Sequence, residues 1–183
     1  MVFGAIFGFI FDVISTWFYV IFAAPFVNME ILWILVPVYA SWFFAEFYQE
    51  KTGTSLGNAI SNAVVVLWAA IDFLRTTVHQ TQATAGLIAR IILCLLIFAY
   101  GIVIVYHGVK AAQITKYIGR VREVTYVVAV FAPIIYNVVD FNLEFLLGAI
   151  IFAPVYYYAI ELFDRYTPNP KAIIADMEEA AHQ

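Results

Sequence analysis

The chain has 183 residues, 64% hydrophobic, 18% aromatic and 12% charged, with a formal net charge of −4. Soluble domains carry about 25% charged residues, so this composition excludes an ordinary soluble fold and offers no basic surface for nucleic acid. The lone Cys94 excludes a disulfide framework or a thiolate metal cluster.

Apolar runs of ~20 residues read as membrane-spanning helices. Six are predicted, at about 3–25, 30–47, 56–74, 87–107, 124–139 and 143–163. The first has no Lys or Arg ahead of it and no small-residue cleavage site, so it reads as a retained span. Within it, Gly4, Gly8, Asp12, Ser15 or Thr16, and Tyr19 form a small and polar stripe at helical spacing. Gly4 and Gly8 make a GxxxG, the spacing that lets helix backbones approach closely. A carboxylate at bilayer depth costs ~2.5–3.5 kcal/mol on insertion scales, so Asp12 is expected to face the bundle.

The second span, ILWILVPVYASWFFAEFY, shares a pattern with the sixth, LEFLLGAIIFAPVYYYAIELF. Each stretch opens with an Asn-x-Glu (from Asn28 and Asn142), carries Pro-Val-Tyr and closes on a glutamate flanked by aromatics. Asn28 and Asn142 are expected to cap their helices, with Glu30 and Glu144 in the first turns. Glu46 and Glu161 are expected at interfacial depth. Pro37, Pro133 and Pro154 lie inside spans and are candidate kinks, each removing a backbone hydrogen bond. Proline-interrupted spans at matching positions in two halves can also mark a transport site.

The third span places Asn58, Asn62 and Asp72 on one face, and Asn62 is the candidate partner for a carboxyl on span one. The fourth holds Arg90 about one turn from its start, with Asp72 and Asp140 as candidate partners at similar depth. The connection to the fifth span carries Lys110, Lys116, Arg120 and Arg122, candidate contacts for anionic lipid headgroups. With Lys51, Arg165 and Lys171, seven of the nine cations fall on one side, against Arg75 and Arg90 on the other. The positive-inside rule then puts both termini in the cytoplasm, in a cell-membrane protein. Residues 164–183 read as a cytoplasmic tail with a short helix starting at Asn169 and Pro170 and presenting Ile173, Ile174 and Met177.

The expected fold class is therefore all-α: a six-transmembrane-helix bundle in which spans one–two and five–six are candidates for two related hairpins. The sequence contains no phosphate-binding glycine loop, dinucleotide motif, HExxH or CxxC. No catalytic set, metal site or cofactor is predicted. The leading functional expectation is a small transporter- or channel-type component moving an ion or small solute. The alternatives are a non-catalytic assembly subunit of a larger membrane complex, and an intramembrane lipid-modifying enzyme. The expected partners are the lipid bilayer, further copies or other membrane subunits, and anionic lipid at the cytoplasmic face.

Overall fold

In a computed structural model, residues 2–50, 53–80, 85–168, 170–171 and 174 are described. They form α1 (Val2–Phe18), a π-helical turn (Tyr19–Ala23), α2 (Ala24–Val27), α3 (Ile31–Tyr48) and α4 (Leu56–His79). There follow α5 (Ala85–Val109), α6 (Thr115–Ile118), α7 (Val121–Ile135) and α8 (Leu143–Tyr166), with no strand among the described residues. Five helical stretches, Phe3–Val27, Ile31–Tyr48, Leu56–His79, Gly86–Val109 and Leu143–Tyr166, are long and apolar enough to cross a membrane. The fold is compatible with a membrane-embedded protein.

The predicted fifth span departs from that pattern. Instead of running over 124–139, α7 starts at Val121 and stops at Ile135. Its 15 residues reach about 22 Å at 1.5 Å per residue, short of a ~30 Å hydrocarbon core. The stop is local chemistry. Asn137 adopts φ 59°, its N–H donates to the Ile134 carbonyl, and the Val138 N–H donates to the Pro133 carbonyl at 2.8 Å. This is a Schellman ending with Asn in the left-handed position. α5 ends the same way, with Ala111 at φ 53° and the Ala112 N–H reaching the His107 carbonyl.

Burial explains why α7 can be short. Eleven of its residues are buried, among them Val124, Val128, Ala129 and Ala132 at 1% exposure or less. It packs on α3, α4 and α8 as the central helix of the bundle. α4 and α5 form a long antiparallel pair brought close by glycines on α5: a Cβ on Gly101 would meet Leu67, and one on Gly108 would meet Ile60. Gly148 of α8 packs against Val13 and Trp17 of α1.

The stripe on α1 behaves otherwise. A Cβ on Gly4 or Gly8 would have nothing within 4 Å, and residues 3–12 are all exposed. Close packing in this chain uses Gly101, Gly108, Gly119 and Gly148 rather than the GxxxG. The two stretches suggested as related hairpins pack across the bundle: α1 lies mainly against α8 and α3 mainly against α7, while α7 also touches α8.

Pro37 and Pro154 face outward and their helices continue through them. The irregular turn instead precedes Pro25, which stands at the start of α2 after the five-residue π turn. Proline has no N–H for the carbonyl four residues back, and a π turn is a known accommodation within helices. Asn142 caps α8, its Oδ1 accepting the Phe145 N–H at 2.8 Å. Asn28 acts one step earlier than expected, accepting the Glu30 N–H at 3.0 Å in the turn before α3. Pro170, Lys171 and Ile174 are described in the tail, where the Ile174 N–H meets the Pro170 carbonyl. Asn169, Ile173, Met177 and Lys51 lie outside the described residues.

Candidate functional site

The C-terminal ends of α3 and α8 and the N-terminal ends of α4 and α7 meet at one end of the bundle, around a buried ionic cluster. Its centre is Arg122, in the first turn of α7, whose side chain is 0% exposed. One edge of the guanidinium clasps Glu46 of α3 through Nε at 3.4 Å and through Nη2. Nη1 donates to Glu161 of α8 at 2.6 Å. The Tyr157 ring lies 4.6 Å from the guanidinium carbon, a cation–π distance. Arg120 stands beside the pair, 3.8 Å from Glu46 and donating to the Tyr157 hydroxyl at 3.1 Å. The closing glutamates of the two repeated stretches therefore converge on one arginine.

A second carboxylate holds the start of α7. Glu50, fully buried just after α3, accepts from the Thr54 hydroxyl at 2.7 Å, from Asn62 Nδ2 at 2.7 Å and from the Val121 N–H at 3.2 Å. Arg120 occupies the N-cap of α7 without a side-chain cap of its own, so Glu50 supplies from another segment what a capping residue normally would. An anion is also favoured there by the helix dipole. Asn62 Nδ2 further donates to the Gly119 carbonyl at 2.9 Å, which ties α4 to the turn before α7. Gly119 is required at that approach, since a Cβ would lie 2.8 Å from Ala59 and Ile104 side-chain atoms and 2.9 Å from the Thr115 carbonyl.

Glu123, in the first turn of α7 and outside the five long apolar stretches, has a buried Oε2 with no hydrogen-bond partner. Burial pushes its carboxyl up to about 7, against the lowering effect of nearby Arg120 and Arg122. The Arg120 Nε and the Thr125 hydroxyl are buried without partners as well. The arrangement is an electrostatic clamp on four helix ends, with the Glu123 carboxyl buried beside it.

At the opposite end, Gln80 is the hub. Its Nε2 donates to the Ile135 carbonyl at 3.0 Å, and its Oε1 accepts from Arg90 at 2.8 Å and from Asn137 at 2.5 Å. Asp72 takes the exposed Arg75 at 2.6 Å and the Tyr136 hydroxyl at 2.8 Å.

These positions revise several sequence-based expectations. Asp12 is exposed on the outer side of α1 and does not face the bundle. Asn62 pairs with Glu50 and not with a carboxyl of the first helix. Arg90 bonds to Gln80, and among the described residues it forms no ion pair with Asp72 or Asp140. Arg122 is an internal cation rather than a headgroup contact, and Glu46, near the C-terminal end of α3, is buried against it. Lys110 is exposed and stacks on Tyr106, while Lys116 is half-buried. The Asn58 side chain donates to the Gln49 carbonyl at 3.4 Å. Glu50, Glu123 and Gln80 were not singled out in the sequence. The i,i+4 spacing of Glu46 and Glu50 at a helix end, opposite the Arg-x-Arg that opens α7, was the available signal.

The class defined by these features is an all-helical bundle with long apolar helices, a packed middle layer and one polar network at each end. No protein-family model, curated protein or solved structure matches the chain.

Proposed function

We propose that the chain is a multi-pass membrane protein acting as a non-catalytic assembly subunit, with the Glu46 end in the cytoplasm. The observation that carries this reading is the first half of α1. Residues 3–12 touch nothing in the chain closely enough to be buried, yet they include a carboxylate, Asp12. In a bilayer that surface would leave Asp12 facing lipid at a cost of ~2.5–3.5 kcal/mol unless another subunit covers it. Gly4, Gly8 and Ser15 share its side of the helix and give a covering helix room to approach. The cation bias supports the orientation, since Lys110, Lys116, Arg120 and Arg122 all lie at the Glu46 end.

The transport reading loses its main support when Asp12 lies outside the bundle. Between the two polar ends the core is a closed apolar layer of Val20, Leu35, Val66, Ala69, Ala70 and Val128, each at 2% exposure or less. One experiment separates the two readings. Single cysteines at Gly8 and, as a control, at Trp68 on the exposed face of α4, both in a Cys94→Ala background, are cross-linked in native membranes. Assembly predicts a discrete higher-mass adduct from position 8 alone, and Asp12→Asn should leave it intact. No adduct from position 8, together with ion flux in liposomes that Asp12→Asn abolishes, would overturn the assembly reading in favour of transport.

A further inference from the structure

A groove of about 430 Å³ opens at the Gln80 end between the first turns of α5 and the α7–α8 connection. Its size falls within the ~300–1,000 Å³ range of small-molecule sites. The rim carries two opposite charges, Arg90 on α5 and Asp140 on the connection, and among the described residues no ion pair joins them. The walls are apolar: Leu93 and Leu96 continue along α5 toward the middle of the bundle, and Ile134 and Val139 face them. Arg90 spends one donor on Gln80, and a guanidinium has five N–H groups. A Cβ on Gly86 would stand 3.3 Å from Arg90 Nη2, so glycine gives the guanidinium room beside its own helix.

A charged rim above an apolar trough matches an amphiphile. The cation on one side selects a phosphate, and the carboxylate on the other selects a cationic headgroup bearing N–H donors. We propose that this groove binds a zwitterionic glycerophospholipid of the phosphoethanolamine type. Its phosphate sits on Arg90, its ammonium on Asp140, and the start of an acyl chain lies along Leu93 and Leu96. The inference rests on the membrane reading above, because the ligand is a component of the bilayer leaflet at the Gln80 end. It is independent of what covers Asp12.

The test uses the full chain in nanodiscs containing equal parts of phosphatidylethanolamine, phosphatidylcholine and phosphatidylglycerol, with retained lipid counted by native mass spectrometry. Phosphatidylethanolamine should be enriched about fivefold over each of the others, the upper range for an accessible ion pair. Arg90→Gln should reduce retention of all three. Asp140→Asn, at an exposed position, should abolish the preference over phosphatidylcholine while leaving helix content unchanged. Leu93→Trp should reduce retention by filling the trough. Equal or stronger retention of phosphatidylglycerol or phosphatidylcholine in the wild type would overturn the proposal, as would a preference untouched by Asp140→Asn. A protein that enters nanodiscs without lipid preference refutes only the groove. A protein that fails to enter them refutes the membrane reading as well.

Discussion

Removing the charge of Arg122 gives a sharp test of the clamp. Arg122 and Glu46 are each 0% exposed, whereas Glu161 is 51% exposed, so the three members should not be equivalent. Arg122→Leu strands Glu46 in the interior, and a buried pair broken on one side costs ~3–5 kcal/mol. For a chain of this size each kcal/mol shifts the melting temperature by about 2–4 °C, so a drop of about 6–20 °C is expected. Glu46→Gln should cost less, about 1–3 kcal/mol, because Arg122 keeps Glu161 and the amide oxygen still accepts one donor. Glu161→Gln should cost no more than about 1 kcal/mol, the usual value of an ion pair open to solvent. The double variant Arg122→Leu, Glu46→Leu should recover much of the loss, since no uncompensated charge remains. Thermal unfolding in a mild detergent, followed by circular dichroism, reads all four. The reasoning is refuted if Glu161→Gln melts as low as Arg122→Leu, or if the double variant is no more stable than Arg122→Leu.

Further outcomes follow from individual positions. Ala111→Gly should stabilise the protein by about 1 kcal/mol, because Ala111 holds φ 53° at a helix end where glycine carries no Cβ penalty; the melting temperature should rise. Gly119→Ala should destabilise by about 1–3 kcal/mol, since its Cβ would press on Ala59, Ile104 and the Thr115 carbonyl; an unchanged melt would show that the turn relaxes. Glu123 has a folded-state carboxyl raised to about 7 from 4.5, so the folded protein holds its proton more tightly. Its contribution is fully present below pH 4.5 and lost as the pH rises through 7, and Glu123→Gln should flatten the fall in melting temperature across that window.

The long apolar runs were legible because length and hydropathy alone define them, and four of the five long helices lie close to their predicted limits. α7 was not, because its end depends on a backbone conformation at Asn137 that no hydropathy pattern encodes. The importance of Glu46 and Glu161 was half visible in the repeated stretch, but the burial of Glu46 was not, while Glu161 stays 51% exposed. A glutamate near a span end reads as solvent-facing until the position of its cation is known, and Arg122 is 76 residues from one and 39 from the other. Asp12 failed in the opposite sense. A costly carboxylate must face inward in a complete assembly, whether the covering helix belongs to the same chain or to another. The capping role of Glu50 was invisible for a different reason: the helix it caps begins 71 residues later.

The position of Arg122 also imposes an order on biogenesis. A chain made from its N-terminus completes α3, with Glu46 and Glu50, well before α7 emerges. When α7 leaves the ribosome, one counter-ion and its N-terminal anchor already exist, while Glu161 lies 39 residues downstream. A 15-residue helix opening with Val-Arg-Glu is a poor candidate for entering a bilayer alone. It needs a cradle already formed by α3 and α4. On the membrane reading, α3 and α4 would receive the next segment of their own chain, and truncation after α6 should leave an open socket at Glu46 and Glu50.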